Sequence, residues 1–206
     1  MKPLSEHWNE VFATTDEKEL GWYEEDYSHT MKLLDLIPDW RHAKIFVPGV
    51  GTSGLIDILL HADARLVLND LSPEAIEQAQ KKYPDSAHHI HWLCQDIARP
   101  LPADVTDVDV WLDRAVLHFL TDDDDIDGYF GNVTSALKVG GHAIFAEFSQ
   151  TGAEKCAGLI LHRYSAEELS ERLGRSFTLV SQFDHTFINP NGDSRPYVYA
   201  LFRRTQ

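Results

Sequence analysis

The segment Ile45-Phe46-Val47-Pro48-Gly49-Val50-Gly51-Thr52-Ser53-Gly54 runs from a β-branched and aromatic stretch through a G-x-G-x-x-G turn into a second apolar stretch. Glycine lets the backbone turn sharply and approach a bound group, and the amides opening a following helix can meet that group's polar end. Alone, this spacing also fits an ordinary tight turn. Two acids sharpen it. Asp70 ends the next apolar run, where β-α-β nucleotide sites accept from ribose hydroxyls. Asp96 follows the third run in Cys94-Gln95-Asp96-Ile97, where a carboxylate can accept from an adenine amino group. Each acid alone could be a helix cap or a solvated loop residue. Joint placement at strand ends predicts a nucleoside site.

Other nucleotide chemistries are disfavoured by spacing. None of the seven tyrosines has lysine four residues later, so the pair used by short-chain hydride enzymes is missing, and the phosphate-cradling G-x-x-x-x-G-K-[ST] is absent.

The elements that must position these residues alternate. Short strand-like runs at Lys44–Val47, Arg65–Leu68, Ile90–Leu93, Val108–Leu112 and His142–Ala146 are separated by helical patterns, among them Pro73–Lys82, which opens with Ser72 as cap and proline in the first turn. That rhythm predicts parallel β-α-β units. It breaks at the end, where Phe177–Ile188 and Pro196–Arg204 flank the turn Asn189-Pro190-Asn191-Gly192-Asp193 and predict an antiparallel hairpin. At the front, residues 5–13 and 27–37 read as helices around Gly21-Trp22-Tyr23, a segment placed to cover the ligand edge. Thr121 to Asp125 reads as a helix cap with acids in the first turn, where the helix dipole favours them.

The chain has 206 residues, 43% of them apolar, which fits one globular domain spanning 1–206, with 1–40 a helical lid and 41–206 the core. Its formal charge of −15 repels polyanions, so neither nucleic acid nor an anionic membrane surface is an expected partner. The opening Met1–Trp8 is polar where an export signal would be apolar, and Cys94 and Cys156 are isolated, which suits a reducing cytoplasm. A monomer or homodimer is expected. His88, His89 and His91 lie at the start of the third strand, away from the nucleoside edge, and no metal is expected.

These residues resemble the class I S-adenosylmethionine-dependent methyltransferases over about residues 40–204. Gly49, Gly51 and Gly54 match the glycine-rich motif, Asp70 with Leu71 the ribose position, Asp96 with Ile97 the adenine position, and Asp113 the end of the fourth strand. Leu137-Lys138-Val139-Gly140-Gly141 resembles the turn into the fifth strand. The resemblance implies a Rossmann-like, seven-stranded, mostly parallel sheet with helices on both faces, a C-terminal antiparallel hairpin, and S-adenosyl-L-methionine as cofactor. The family often has an acid two residues before the first glycine; here that position is Val47. The form Val-Pro-Gly-Val-Gly-Thr-Ser-Gly looks like thiopurine-methyltransferase-like enzymes, which implies a small-molecule acceptor.

The fourth strand runs out into Asp113-Arg114-Ala115-Val116-Leu117-His118-Phe119, which in such enzymes faces the transferred methyl group. His118 is a candidate base or a hydrogen-bonded structural histidine; Arg114 is a candidate anchor for an acceptor's anionic group or an ion-pair partner. Trp22 is expected beside the cofactor in the lid segment, and the loop around Gly152–Gly158 on the acceptor edge. The favoured acceptor is a thiol or related soft nucleophile. Two alternatives stand beside it: a seven-strand protein-lysine methyltransferase, to which Trp8 and Gly21-Trp22-Tyr23 also bear likeness, and a cofactor-binding protein without turnover.

Overall fold

The computed structural model describes residues 3–86 and 88–206; Met1 and Lys2 of the polar opening lie outside them. The strands of the main sheet are β1 (Lys44–Val47), β2 (Arg65–Asp70), β3 (Ile90–Cys94), β4 (Val108–Arg114), β5 (Leu137–Phe148), β6 (Phe177–Ile188) and β7 (Ser194–Arg204). They form one sheet in the order β3-β2-β1-β4-β5-β7-β6. Strands β1 to β5 pair in parallel, and β7 runs antiparallel to both β5 and β6. Strand order reverses between β1 and β4, and ligands of open α/β sheets bind outside the carboxyl ends at such a reversal.

Both faces of the sheet's centre are covered, so β1, β2 and β4 are buried along most of their length, while the edge strand β6 is mostly exposed. Ile45, Val47, Val110, Leu112, Ile144 and Tyr199 pack on one face; Phe46, Trp111, Phe145 and Phe202 pack on the other. Val108 has the parity of Val110 yet joins the opposite core, because the register of β4 shifts between them. Helices α2 (Ser28–Leu34), α3 (Leu55–His61) and α4 (Pro73–Lys82) bury residues in the first core, α5 (Asp123–Ala136) and α6 (Ala166–Leu173) in the second. No helix among the described residues is long and apolar enough to cross a membrane.

Local chemistry sets the helix ends. Ser72 Oγ accepts from the Ala75 amide at 3.1 Å and starts α4. In the acidic run the cap is Asp122, which accepts from the Asp124 amide. The second front helix stops at Leu34, short of the expected residue 37, because Pro38 disfavours helical backbone before it. Between β3 and β4 the strand-helix rhythm fails: residues 95–107 contain no helix, and Pro100 and Pro102 account for its absence. Helix α1 (Leu4–Thr14) is fastened to α4, with Asn9 Oδ1 accepting from Ser72 Oγ at 2.6 Å and from the Glu74 amide at 3.2 Å. Gln78 adds a bond to the Phe12 carbonyl at 3.0 Å. The front segment is thereby laid along the carboxyl edge of the sheet.

Candidate active site

At that edge lies a cavity whose first half is built from the ends of β1, β2 and β3. Residues Val47 to Ser53 line it, with Asp70, Leu71, Asp96 and Ile97. Gly51 has φ +48°, a left-handed conformation that favours glycine, and the Phe12 ring stands 3.4 Å from where a side chain would begin. A side chain at Gly49 would run into Val116, so the turn and the end of β4 touch directly. Gly54 does not line the cavity: its amide donates to Tyr27 Oη at 3.1 Å. Asn69 holds the turn to the next strand end, donating to the Pro48 and Gln95 carbonyls at 2.9 and 3.1 Å.

Asp70 is buried, and its Oδ2 accepts from the Gly51 amide and its Oδ1 from the Ser72 amide, both at 2.9 Å. Burial pushes this carboxyl up to about 6, against the pull of the Ser72, Gly51 and Leu71 amides. Each oxygen keeps acceptor capacity for a further donor. Asp96 sits farther along the cavity, its Oδ1 accepting from the Ala98 amide at 2.9 Å. Arg99 bridges Asp96 to Asp125, which also lines the cavity, so one residue of the helix-opening acidic run reaches the site.

The second half is aromatic. Trp8, Phe12, Leu20, Trp22, Tyr23 and Tyr27 come from the front segment, and Arg114, Val116, Phe119 and Leu120 from the end of β4. Trp8 packs edge-on against Phe119 and Trp22, with centroids 4.7 and 5.5 Å apart. Glu17 lines the same cavity from the front segment. Sequence reasoning missed Asn9, Phe12, Glu17 and Tyr27; only the aromatics in the front segment hinted at them.

Asp113 and His118 do not line this cavity. Asp113 lies wholly inside, accepting from the Val116 and Leu117 amides at 3.1 Å and from Tyr129 Oη, which in turn accepts from Trp111 Nε1 at 2.8 Å. It thus fastens the strand end from behind rather than touching a ligand. The chain turns at Ala115, with φ +67°, and winds through a helical turn at Leu117–Phe119 that sends Phe119 to the cavity and His118 inward. His118 Nδ1 lies 2.6 Å from Glu147 Oε2, and the His118 amide donates to the same oxygen. Burial lowers the imidazole to about 3, so it is neutral. The expected catalytic position of His118 is therefore corrected to one inside the protein. Asp113 and Glu147 are both held high by burial, and Asp113 is raised further by its proximity to Glu147.

Arg114 does reach the cavity, but its fork is taken. Nε donates to Glu24 Oε2 at 2.8 Å, Nη2 lies 2.6 Å from the same oxygen, and Nη1 donates to the Trp22 carbonyl at 3.0 Å. The side chains of the pair are only 9% and 8% exposed; burial pulls the guanidinium down, but Glu24 together with Tyr197, Tyr199 and Tyr27 raises it above its ordinary value, so it stays charged. Residues 152–158, expected on the acceptor edge, contribute nothing to the lining; Cys156 is buried, with its thiol pushed up by burial.

Residues 46–141, which span the glycine turn, both acids and β4, match a family model described as a methyltransferase domain. No curated protein matches the chain by sequence. Among solved structures, the N-methyltransferase NodS of Bradyrhizobium japonicum WM9 in complex with S-adenosyl-L-homocysteine is 20% identical, with a TM-score of 0.75 over 97% of each chain. The 1,6-didemethyltoxoflavin-N1-methyltransferase of Burkholderia thailandensis, bound to 1,6-didemethyltoxoflavin and S-adenosylhomocysteine, is 17% identical, with a TM-score of 0.68 over 98% of this chain and 84% of that one. A structure concerned with conversion of a disulfide bond into a thioacetal group during echinomycin biosynthesis is 17% identical, with a TM-score of 0.76 over 98% and 93%. At such identities the structural likeness is one of fold, and the matched residues include the glycine turn, Asp70, Asp96 and the end of β4 that line the cavity. Residues 46–141 thus match a methyltransferase domain, and the whole chain has the fold of S-adenosylmethionine-dependent methyltransferases.

Proposed function

We propose that this protein methylates a small-molecule acceptor at a thiol or related soft nucleophile. The observation that carries the reading is the make-up of the acceptor half: aromatic and aliphatic walls, an arginine whose fork is occupied, and the candidate histidine turned inward. A hydroxyl or an ammonium group must be relieved of a proton at or before transfer. A thiol ionises near 8.5 unaided and carries its own thiolate fraction at neutral pH. The wall residues then have two tasks, to align the acceptor and to exclude water.

The cofactor half fits the cofactor that the family uses. Gly49 and Gly51 keep the turn free of side chains where the methionine end is to lie, the oxygens of Asp70 are disposed for the two ribose hydroxyls beside Leu71, and Asp96 with Ile97 suits the adenine. Trp22 stands on the acceptor side. When bound, S-adenosylmethionine supplies a sulfonium-activated methyl carbon. Asp113, with Tyr129, acts as a positioning residue for Arg114 to Phe119, and Tyr27 caps the turn and closes the wall between the two halves. Among the solved relatives, one concerns chemistry at sulfur and two are N-methyltransferases, which supports a small acceptor and leaves its atom to the chamber's chemistry.

The test combines calorimetry with transfer. Titration with S-adenosylhomocysteine is expected to give a one-to-one heat, and labelled S-adenosylmethionine with a panel of thiols is expected to put label into the small-molecule fraction. Label appearing in protein from a lysate would favour the lysine alternative; binding with no transfer to any acceptor would favour the non-catalytic one.

A further inference from the structure

The ion pair between Arg114 and Glu24 determines whether the acceptor chamber, which Glu17 also lines, offers a free cation to an incoming group. Arg114 comes from the end of β4 and lines the cavity, whereas Glu24 approaches from the front segment and stands behind it, lining the neighbouring cleft with Asp26, His29 and His185. Glu24 Oε2 accepts from Nε and lies 2.6 Å from Nη2 as an ion pair, and the Trp22 carbonyl accepts from Nη1. The Tyr27 and Phe187 rings lie 5.9 and 5.8 Å from the guanidinium, so its surroundings are aromatic rather than aqueous. An unpaired guanidinium in such a place is a strong site for carboxylate or phosphate, through planar two-point bonding. Paired with Glu24, it offers an incoming anion no net attraction and sets the Glu24 carboxylate close by as a repulsive charge.

We propose that Glu24 is a specificity-determining residue: by occupying the Arg114 fork it neutralises the cation that lines the acceptor chamber and restricts the enzyme to aromatic or apolar acceptors that carry no anionic group apart from the reacting atom. The inference rests on the soft-nucleophile reading above and narrows its substrate class. Discrimination arises here by withholding a partner from anions as much as by fitting the apolar body. Removing only the carboxylate charge exposes Arg114 and turns the same chamber into an anion site.

The probes are 4-mercaptobenzamide and 4-mercaptobenzoate, nearly equal in size and different in charge, bound to the protein loaded with S-adenosylhomocysteine and measured by calorimetry so that turnover is not required. Wild type is expected to bind the amide at least about ten-fold more tightly than the carboxylate. E24Q is expected to swing that ratio at least about ten-fold toward the carboxylate, and E24Q/R114Q to return it toward the wild-type value. An E24Q ratio equal to wild type overturns the inference, as does tighter carboxylate binding by wild type. The wild-type ratio decides alone if E24Q does not fold. Binding of neither probe to wild type that still binds S-adenosylhomocysteine overturns the inference while leaving the cofactor reading intact; failure to bind S-adenosylhomocysteine overturns both.

Discussion

Asp70 carries a prediction whose size follows from its surroundings. Its carboxyl is held up to about 6 by burial, and as an ionised acceptor it suits the ribose hydroxyls. A ligand that requires the carboxylate must first have the proton removed, which divides its affinity by 1 + 10^(pKa − pH). The factor is about 1 at pH 7.5, about 2 at pH 6 and about 11 at pH 5, or about 1.4 kcal/mol in the last case. S-adenosylhomocysteine has a carboxyl and an amino group that ionise below and above this window, so the slope reports the protein. Calorimetric titrations between pH 7.5 and 5 are expected to weaken about ten-fold, with urea midpoints at each pH showing that the protein remains folded. D70N is expected to lose that slope. It is also expected to bind less tightly at pH 7 by about 2 kcal/mol, because an amide nitrogen set against the Gly51 or Ser72 amide leaves a donor unpaired. Constant wild-type affinity from pH 7.5 to 5, or a slope that survives in D70N, would refute the ribose assignment.

Three further outcomes follow from the contacts around the site. G49A is expected to cost at least about ten-fold in S-adenosylhomocysteine affinity, because the new methyl collides with Val116 and displaces the strand end it belongs to; G54A, whose methyl meets only Tyr27 at 3.5 Å in helical backbone, is expected to stay within about two-fold. Y129F removes the hydroxyl that joins Trp111 Nε1 to Asp113 and is expected to lower stability by about 1 to 3 kcal/mol, read as a fall in urea midpoint. His118 stays neutral down to about pH 3 in the folded protein, whereas the unfolded chain takes up that proton below about 6.5, so its contribution to stability is full above 6.5 and is lost as pH falls toward 3. H118N is expected to flatten that limb of the curve of urea midpoint against pH.

The strand ends were legible because strand and turn chemistry are local. A run of β-branched residues ending in an acid fixes both the strand and the position of the carboxylate at its carboxyl end, which is how Asp70 and Asp96 came out on one cavity with Gly49 and Gly51. The terminal hairpin was equally local, since Asn189 Oδ1 accepts from the Asn191 and Asp193 amides and makes the turn by itself. His118 was not legible in the same way. Its direction depends on a left-handed alanine at 115, a conformation that no glycine announced, and on a helical turn of three residues whose hydrogen bonds go to Asp113 and Glu147. The absence of a helix between β3 and β4 was written in Pro100 and Pro102, but the strand rhythm on either side outweighed it.

The division between the readable and the unreadable follows the division of the site. The cofactor half comes from one continuous stretch, residues 45–97, in which each strand and turn places the next, so spacing alone carries its geometry. The acceptor half is formed where residues 4–27 meet residues 112–120, and its decisive contacts, Asn9 with Ser72, Trp8 with Phe119 and Glu24 with Arg114, join positions whose pairing no local pattern encodes. Reaction class is thus written locally and acceptor choice is not. The same fact makes the front segment the place where acceptor preference can change with least harm: a substitution at Trp8, Trp22 or Glu24 alters the chamber wall, while the glycine turn, Asp70 and Asp96 remain fixed by strands that the front segment does not form.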